Sequence, residues 1–442
     1  MKAHRHYTLD GSTVTDGRRM LKHKKAIIFC ATVLLLFLSA CAQSNSVSSQ
    51  NFPIGGLWEV PVEDNGEANW GYASSIANEQ HAGYTLAREN LEDNSFQDII
   101  SGESNQQGEI QVAIREMVED EEKPVVAVIG ATTNEATMRA ASLVNFFNVP
   151  MLVPSANGDN LLPSNNIWAF RLSAPGFTYA NYMFGSVLTK INLTPISGAV
   201  IEPSLKIAIL YEQNTFGESA AVATARAAML QEIEIGVYAS FSSETIDPDR
   251  MVRIMENMAE NNVHLAYLIT SDPAAARTLV QIFHSRFFKD AMPILVGQAG
   301  GFASAEFLES DEAESVYVVR QELVKDQCPT DIESLYEAQA YAAVYLLDQA
   351  VKQVEENQPA KQWYEWQAKQ TEIAVFREEI RDALKQIRLK VPCLGMVAFD
   401  NTGQNKLLNF ELVTVKGEQL SILETEDFLN SVRRRAGQLI SQ

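Results

Sequence analysis

Thr132, Thr133 and Asn134, and again Ser155, Ala156 and Asn157, are short polar groups placed just after two apolar runs. They offer hydroxyls, side-chain amides and backbone N–H groups, which suits holding a small polar or anionic molecule. The runs before them, Val125 to Ile129 and Val149 to Val153, have the unbroken apolar character of strands covered on both faces. Gly130 ends the first run. Thr132 followed by Glu135 resembles a capping box, and Ala136, Ala140, Leu143, Val144 and Phe147 make one helical face. Strand, loop, helix, strand, loop puts both polar groups at the carboxyl ends of neighbouring strands, where open α/β sheets bind ligands.

Bond-making chemistry finds little support in the rest of the chain. Beyond residue 41 the histidines are His81, His264 and His284, too widely spaced for a zinc-binding HExxH. Neither GxSxG nor a phosphate-cradling GxxxxGK[ST] occurs. A non-enzyme with no metal, no cofactor and no catalytic residue is therefore expected. The formal net charge is -21; residues 1 to 40 hold seven Lys/Arg and two Asp/Glu, so the remainder carries -21 - 5 = -26. Such an acidic body disfavours nucleic acid and anionic lipid as partners and favours solubility.

The amino-terminal segment reads as an address. Arg18, Arg19, Lys22, Lys24 and Lys25 precede the apolar run Ala26 to Leu38, which suits a signal-peptide core and is short of the roughly 20 residues that span a bilayer. Leu38-Ser39-Ala40-Cys41 resembles a bacterial lipobox, which implies lipidation of Cys41 and removal of residues 1–40. Met1 and Met20 are both possible starts. Residues 41–51 then form a flexible polar tether.

The body alternates strands and helices. Ile54 to Val60, a helix with Ile76, Gln80, Tyr84, Ala87 and Leu91 on one face, a short strand near Asp98 to Ile100 and a helix from about Glu109 lead into the opening stretch. The pattern restarts after Trp168 to Arg171. A helix around Thr178 to Leu188 leads to the strand Lys206 to Tyr211, and the runs Val237 to Phe241, Leu265 to Thr270 and Ile294 to Gly297 follow with helices between. Two long helices, about Asp331 to Glu356 and Glu372 to Ile387, flank Trp363, Tyr364 and Trp366. Met396 to Asp400, the turn Asn401 to Gln404 and Leu408 to Val415 read as a hairpin.

An exported two-lobed α/β chain with this order resembles a type I periplasmic binding protein of the branched-chain amino acid and amide ABC importer family, in lipoprotein form. The resemblance rests on Val128-Ile129-Gly130 with Thr132 to Asn134, Val149-Pro150 with Pro154-Ser155-Ala156, Phe170-Arg171, Tyr211 with Phe216-Gly217, and Phe399-Asp400 with Gly403. It implies two Rossmann-like lobes with parallel sheets, joined by a hinge of three crossovers. Lobe 1 is placed at 52–171 plus 324–393, lobe 2 at 172–323 plus 394–424, and a terminal helix or tail at 425–442. A Cys328–Cys393 disulfide beside the crossovers is expected.

The same resemblance implies a solute-binding protein that captures an amino acid, amide or carboxylate-like ligand and delivers it to an importer permease. It would be a monomer on the extracytoplasmic side, touching the membrane through its lipid alone. Ligand contacts fall on Trp70, Thr132, Thr133, Asn134, Ser155, Ala156 and Asn157 from lobe 1, and on Phe216, Ser271, Asp272 and Gln298 from lobe 2. Thr132 and Thr133 would hold a carboxylate at the helix start. Relatives place an acidic residue near Gln298-Ala299 to pair with an ammonium; here these positions are uncharged, so either Asp272 substitutes or the ligand lacks an ammonium. The alternative is an envelope lipoprotein of the same fold that regulates a cell-wall enzyme or receptor, with Trp363 to Trp366 as a partner surface.

Overall fold

The first sheet is assembled by a run of strands and helices in which each helix returns the chain to the same sheet edge. Strands β1 (Ile54–Glu59), β2 (Gln97–Ser101), β3 (Ala127–Gly130), β4 (Met151–Val153) and β5 (Ala169–Arg171) alternate with α1 (Ser75–Asn90), α2 (Glu109–Glu119) and α3 (Asn134–Phe147). All pair in parallel, in the order β2-β1-β3-β4-β5. Side chains alternate across this sheet: Ile129 and Leu152 join one buried cluster, while Val128, Met151 and Val153 join the other. Both faces are thus apolar, which accounts for the unbroken hydrophobic runs. The chain is described from a computed structural model, which covers residues 53–60, 74–91, 97–101, 109–120, 124–190, 205–286, 292–357, 370–417 and 419–440. The leader, Cys41, the tether, Trp70 and Trp363 to Trp366 lie outside the described residues.

After β5 the chain crosses to a second sheet. Helix α4 (Gly176–Ala180) widens into a π-helical turn, Asn181–Val187, with a 3-10 turn Leu188–Lys190 after it. Strands β6 (Lys206–Glu212), β7 (Glu234–Phe241), β8 (Leu265–Ile269), β9 (Ile294–Gln298) and β10 (Val316–Gln321) alternate with α5 (Thr215–Leu230), α6 (Pro248–Glu260), α7 (Pro273–Arg286) and the short α8 (Ala305–Leu308). Their order, β7-β6-β8-β9-β10, repeats that of the first sheet, so β6 stands where β1 does and β8 where β3 does. Antiparallel β13 (Phe410–Lys416) and β14 (Gln419–Ile422) extend this sheet beyond β10.

The chain then returns to the first sheet through α9 (Leu335–Asn357), α10 (Gln370–Gln386), β11 (Arg388–Val391) and β12 (Gly395–Ala398). Ala343, Leu346, Leu347, Phe376, Ile380, Val391 and Val397 share a buried cluster with Ile54, Trp58 and Leu152. Arg377 fastens α10 by donating from Nε and Nη2 to the carbonyl of Val125, at 3.0 and 2.6 Å. Burial holds its guanidinium down at about 10. The first turn of α9 is different: Tyr336 belongs to the core of the second sheet. The last helix, α11 (Thr425–Ile440), docks Phe428, Leu429 and Val432 into that second core. Asn51–Gln442 form one compact body, and among the described residues no helix is long and apolar enough to cross a membrane.

The expected hairpin is replaced by two different ladders. Strand β12 pairs antiparallel with β11, while β13 pairs with β10 and β14. The cause lies in the turn between them, where the Asp400 carboxylate accepts the N–H groups of Thr402 (2.8 Å) and Gln404 (3.0 Å). Gly403, at φ 82°, sits against the backbone of Ala169, where a Cβ would collide. That turn pairs with Arg171 at the first crossover, with Gly403 O accepting from Arg171 N–H at 2.7 Å and Asn405 N–H donating to Arg171 O at 2.9 Å. At the second crossover Val324 N–H donates to Cys393 O at 2.8 Å, and a disulfide joins Cys328 to Cys393, whose Cα atoms are 4.5 Å apart.

Candidate ligand site between the two sheets

The carboxyl ends of the two parallel sheets face a cavity of about 410 Å³. Thr132, Thr133, Asn134, Ser155, Ala156 and Asn157 line it from the first sheet, and Phe216, Ser271 and Asp272 from the second. Gln298 does not: it is fully buried beneath the loop, where its Oε1 accepts from the Tyr267 hydroxyl at 3.2 Å. The lining position it was expected to hold belongs to Gly300, whose φ of 141° carries the backbone past the aromatic ring of Phe216. Lining residues that sequence reasoning missed include Ser75, Glu135, Asn214, Glu306 and Tyr336.

The first polar loop is not an open anion cradle. Glu59, the last residue of β1, lies beside the end of β3, and its Oε2 accepts the N–H groups of Thr132 (2.8 Å) and Thr133 (2.7 Å). Its Oε1 also accepts from the Thr133 hydroxyl. The donors expected to hold a ligand carboxylate therefore hold one supplied by the protein. Burial raises the Glu59 pKa, opposed by these same bonds, and the nearby charge of Glu135 adds to the rise.

The capping residue is also displaced by one from expectation. Thr133 Oγ1 accepts from Ala136 N–H at 3.2 Å and caps α3. Thr132 is diverted because its hydroxyl donates to Gln80 Oε1 at 2.9 Å. Gln80 in turn donates from Nε2 to Ser155 Oγ, so one buried side chain of α1 links the two polar loops. Asn134 completes the link: its Oδ1 accepts from the N–H groups of Asn157 (3.1 Å) and Gly158 (3.2 Å).

The second sheet repeats the device. Glu212 ends β6 as Glu59 ends β1, and its Oε2 accepts from Ser271 N–H (2.7 Å), Ser271 Oγ (2.8 Å) and Thr270 Oγ1 (2.9 Å). Its Oε1 accepts from Ser243 Oγ at 2.5 Å. Asp272 caps α7, taking Ala274 N–H on Oδ1 at 2.8 Å, and still faces the cavity. Asn214 caps α5 through Gly217 N–H at 2.8 Å and donates to Ser271 Oγ at 3.2 Å.

Direct bonds join the two sides around the cavity. Tyr336 OH donates to Gly300 O at 2.7 Å, Asp159 N–H donates to Ser219 Oγ at 3.0 Å, and Asn157 Nδ2 reaches Ala299 O at 3.4 Å. Glu79 on α1 accepts Ala305 N–H, at the start of α8, on Oε1 at 3.1 Å, together with Ser75 Oγ at 2.9 Å. Burial, aided by the charge of Glu337 and opposed by the hydrogen bonds, pushes this carboxyl up to about 7. Helix α1 approaches α9 closely, since a Cβ on Gly83 would collide with the backbone of Glu337.

No protein-family model matches the sequence, and no curated protein matches it. Solved structures do. An ABC transporter substrate-binding protein from Desulfitobacterium hafniense in complex with leucine superposes with a TM-score of 0.61 at 15% identity, over 85% of this chain and 100% of that one. The leucine-binding protein LivK of Thermotoga maritima gives 0.63 at 13% identity, over 84% and 98% of the two chains. A solute-binding protein of an ABC transporter from R. palustris, in complex with benzoate, gives 0.63 at 12%, over 85% and 96%. With its paired parallel sheets and three crossovers, the chain has the type I periplasmic binding protein fold.

Proposed function

We propose that this chain is the solute-binding component of an ABC importer, exported and held to the membrane by a lipid on Cys41. It captures a small polar ligand in the cavity between its two sheets and presents it to a permease. The observation that carries this reading is the cavity of about 410 Å³ lined from both sheets by strand-end and helix-start residues. Thr133, Asn134, Ser155 and Asn157 contact the ligand from one side, and Phe216, Ser271 and Asp272 from the other. Binding favours the closed arrangement to the extent that the ligand touches both sides at once. The bonds of Tyr336, Asn157 and Glu79 across the cavity belong to that closed arrangement.

A thermal-shift and calorimetric screen of the purified chain against small metabolites tests the reading. A ligand that stabilises the wild type and loses at least tenfold in affinity on Asp272→Ala supports it. Absence of any small ligand, with capture of an envelope enzyme instead, favours the regulatory alternative. Labelling with a palmitate analogue, lost in Cys41→Ala, tests the anchor.

A further inference from the structure

We propose that the ligand is an organic amine or quaternary ammonium compound bearing an uncharged hydroxyl or carbonyl oxygen and no carboxylate. This rests on the reading of the cavity as a solute site and narrows what enters it. The N–H pair at the start of α3, the natural seat for an anion, is filled by Glu59. Its counterpart beyond β8 is filled by Glu212. An incoming carboxylate would have to displace a side chain tethered at the strand end or lie beside it, and like charges at close range repel.

The rest of the lining carries the same sign. Among the described residues Glu135, Asp272 and Glu306 are its charged side chains, and no Lys, Arg or His stands with them. Glu306 is paired with Arg277 at 2.7 Å, which leaves Glu135 and Asp272 as the carboxylates available to a cation. Phe216 and Tyr336 supply ring surface of the kind that attracts ammonium groups. One neutral donor completes the set. Asn134 is 4% exposed, and its Nδ2 is buried without a hydrogen-bond partner although the residue lines the cavity. A buried donor left unmatched calls for an acceptor, which an uncharged ligand oxygen provides.

Calorimetric titration of the full chain in detergent tests this with two sets of probes: ethanolamine and choline against acetate, leucine and benzoate. An amine that binds at least tenfold more tightly than any carboxylate is expected, and Asp272→Asn should weaken it by about tenfold. Glu59→Ala should open the N–H pair and raise acetate or benzoate affinity by at least tenfold. Glu59→Gln, which keeps the length and removes the charge, should move in the same direction if the alanine variant does not fold. Tighter binding of leucine or benzoate than of the amines to the wild type overturns the inference while leaving a solute site in place. No gain of carboxylate binding in either Glu59 variant overturns it as well. Failure of every probe with wild type and variants overturns the inference too, and the solute-site reading falls with it only when the wider metabolite screen also finds no ligand.

Discussion

Glu59 and Glu212 occupy equivalent places at the ends of β1 and β6, yet they are wired differently. Glu212 gathers Thr270, Ser271 and Ser243, all within the second sheet, and the arrangement is complete in itself. Glu59 gathers Thr132 and Thr133, and Thr132 passes the connection through Gln80 to Ser155. Gln80 stands next to Glu79, which bonds to α8 of the other sheet. One carboxylate therefore fixes loops beside its own sheet; the other is part of a network that joins two loops through α1, the helix whose neighbouring residue Glu79 makes a contact with the other side. The repeat in topology does not impose a repeat in role.

The largest expected effect comes from Glu212→Ala. It leaves Ser271 N–H and the hydroxyls of Thr270 and Ser271 without their buried acceptor, and should cost about 4 kcal/mol in urea denaturation. A loss close to that of Glu59→Ala would erase the distinction drawn above.

Next is Glu79. Its pKa in the folded protein, raised to about 7, lies above the 4.5 of the unfolded chain, so the folded state holds the proton more tightly. The associated stability is fully present below about 4.5, falls as pH rises, and is gone above about 7. The difference amounts to on the order of 3 kcal/mol. Glu79→Gln should flatten that part of the stability-against-pH curve; an unchanged slope would remove Glu79 from the contact.

Glu59→Ala should cost about 2 kcal/mol, less than Glu212→Ala, because it frees three donors, the N–H groups of Thr132 and Thr133 and the Thr133 hydroxyl, where Glu212 holds four. Acetate should restore part of the loss, as read by the thermal midpoint. The smallest effect, about 1 kcal/mol, is expected for Thr132→Val, which removes the bond to Gln80 and leaves the Glu59 contact to the backbone intact. Loss of ligand affinity beyond what stability explains would show that the Gln80 connection matters to closure.

The sequence carried the sheets well because parallel strands buried on both faces leave unbroken apolar runs, as at Val125 to Ile129 and Leu265 to Ile269. It carried the loops at Thr132, Ser155 and Ser271 because position at a strand end determines what faces the cavity. It did not reveal that those loops were already satisfied. Glu59 and Glu212 each close an apolar run, in LeuTrpGlu and LeuTyrGlu, and that shared ending is the one signal that would have marked them. Tyr336 was hidden because its contact with Gly300 joins residues far apart in the chain. Gln298 misled because the chain runs two residues beyond it before turning into the cavity.

The disulfide at the second crossover has a consequence for how the first half of the molecule is held together. That half is built from two separate stretches of chain, and the second, containing α9, α10 and β11, lies almost wholly between Cys328 and Cys393. The bond, with a sequence separation of 65, turns the returning stretch into a closed ring. In chain-entropy terms a ring of that size removes about 4 kcal/mol worth of disorder from the unfolded state. The excursion that completes the first sheet therefore begins and ends at one point whether or not its helices are docked.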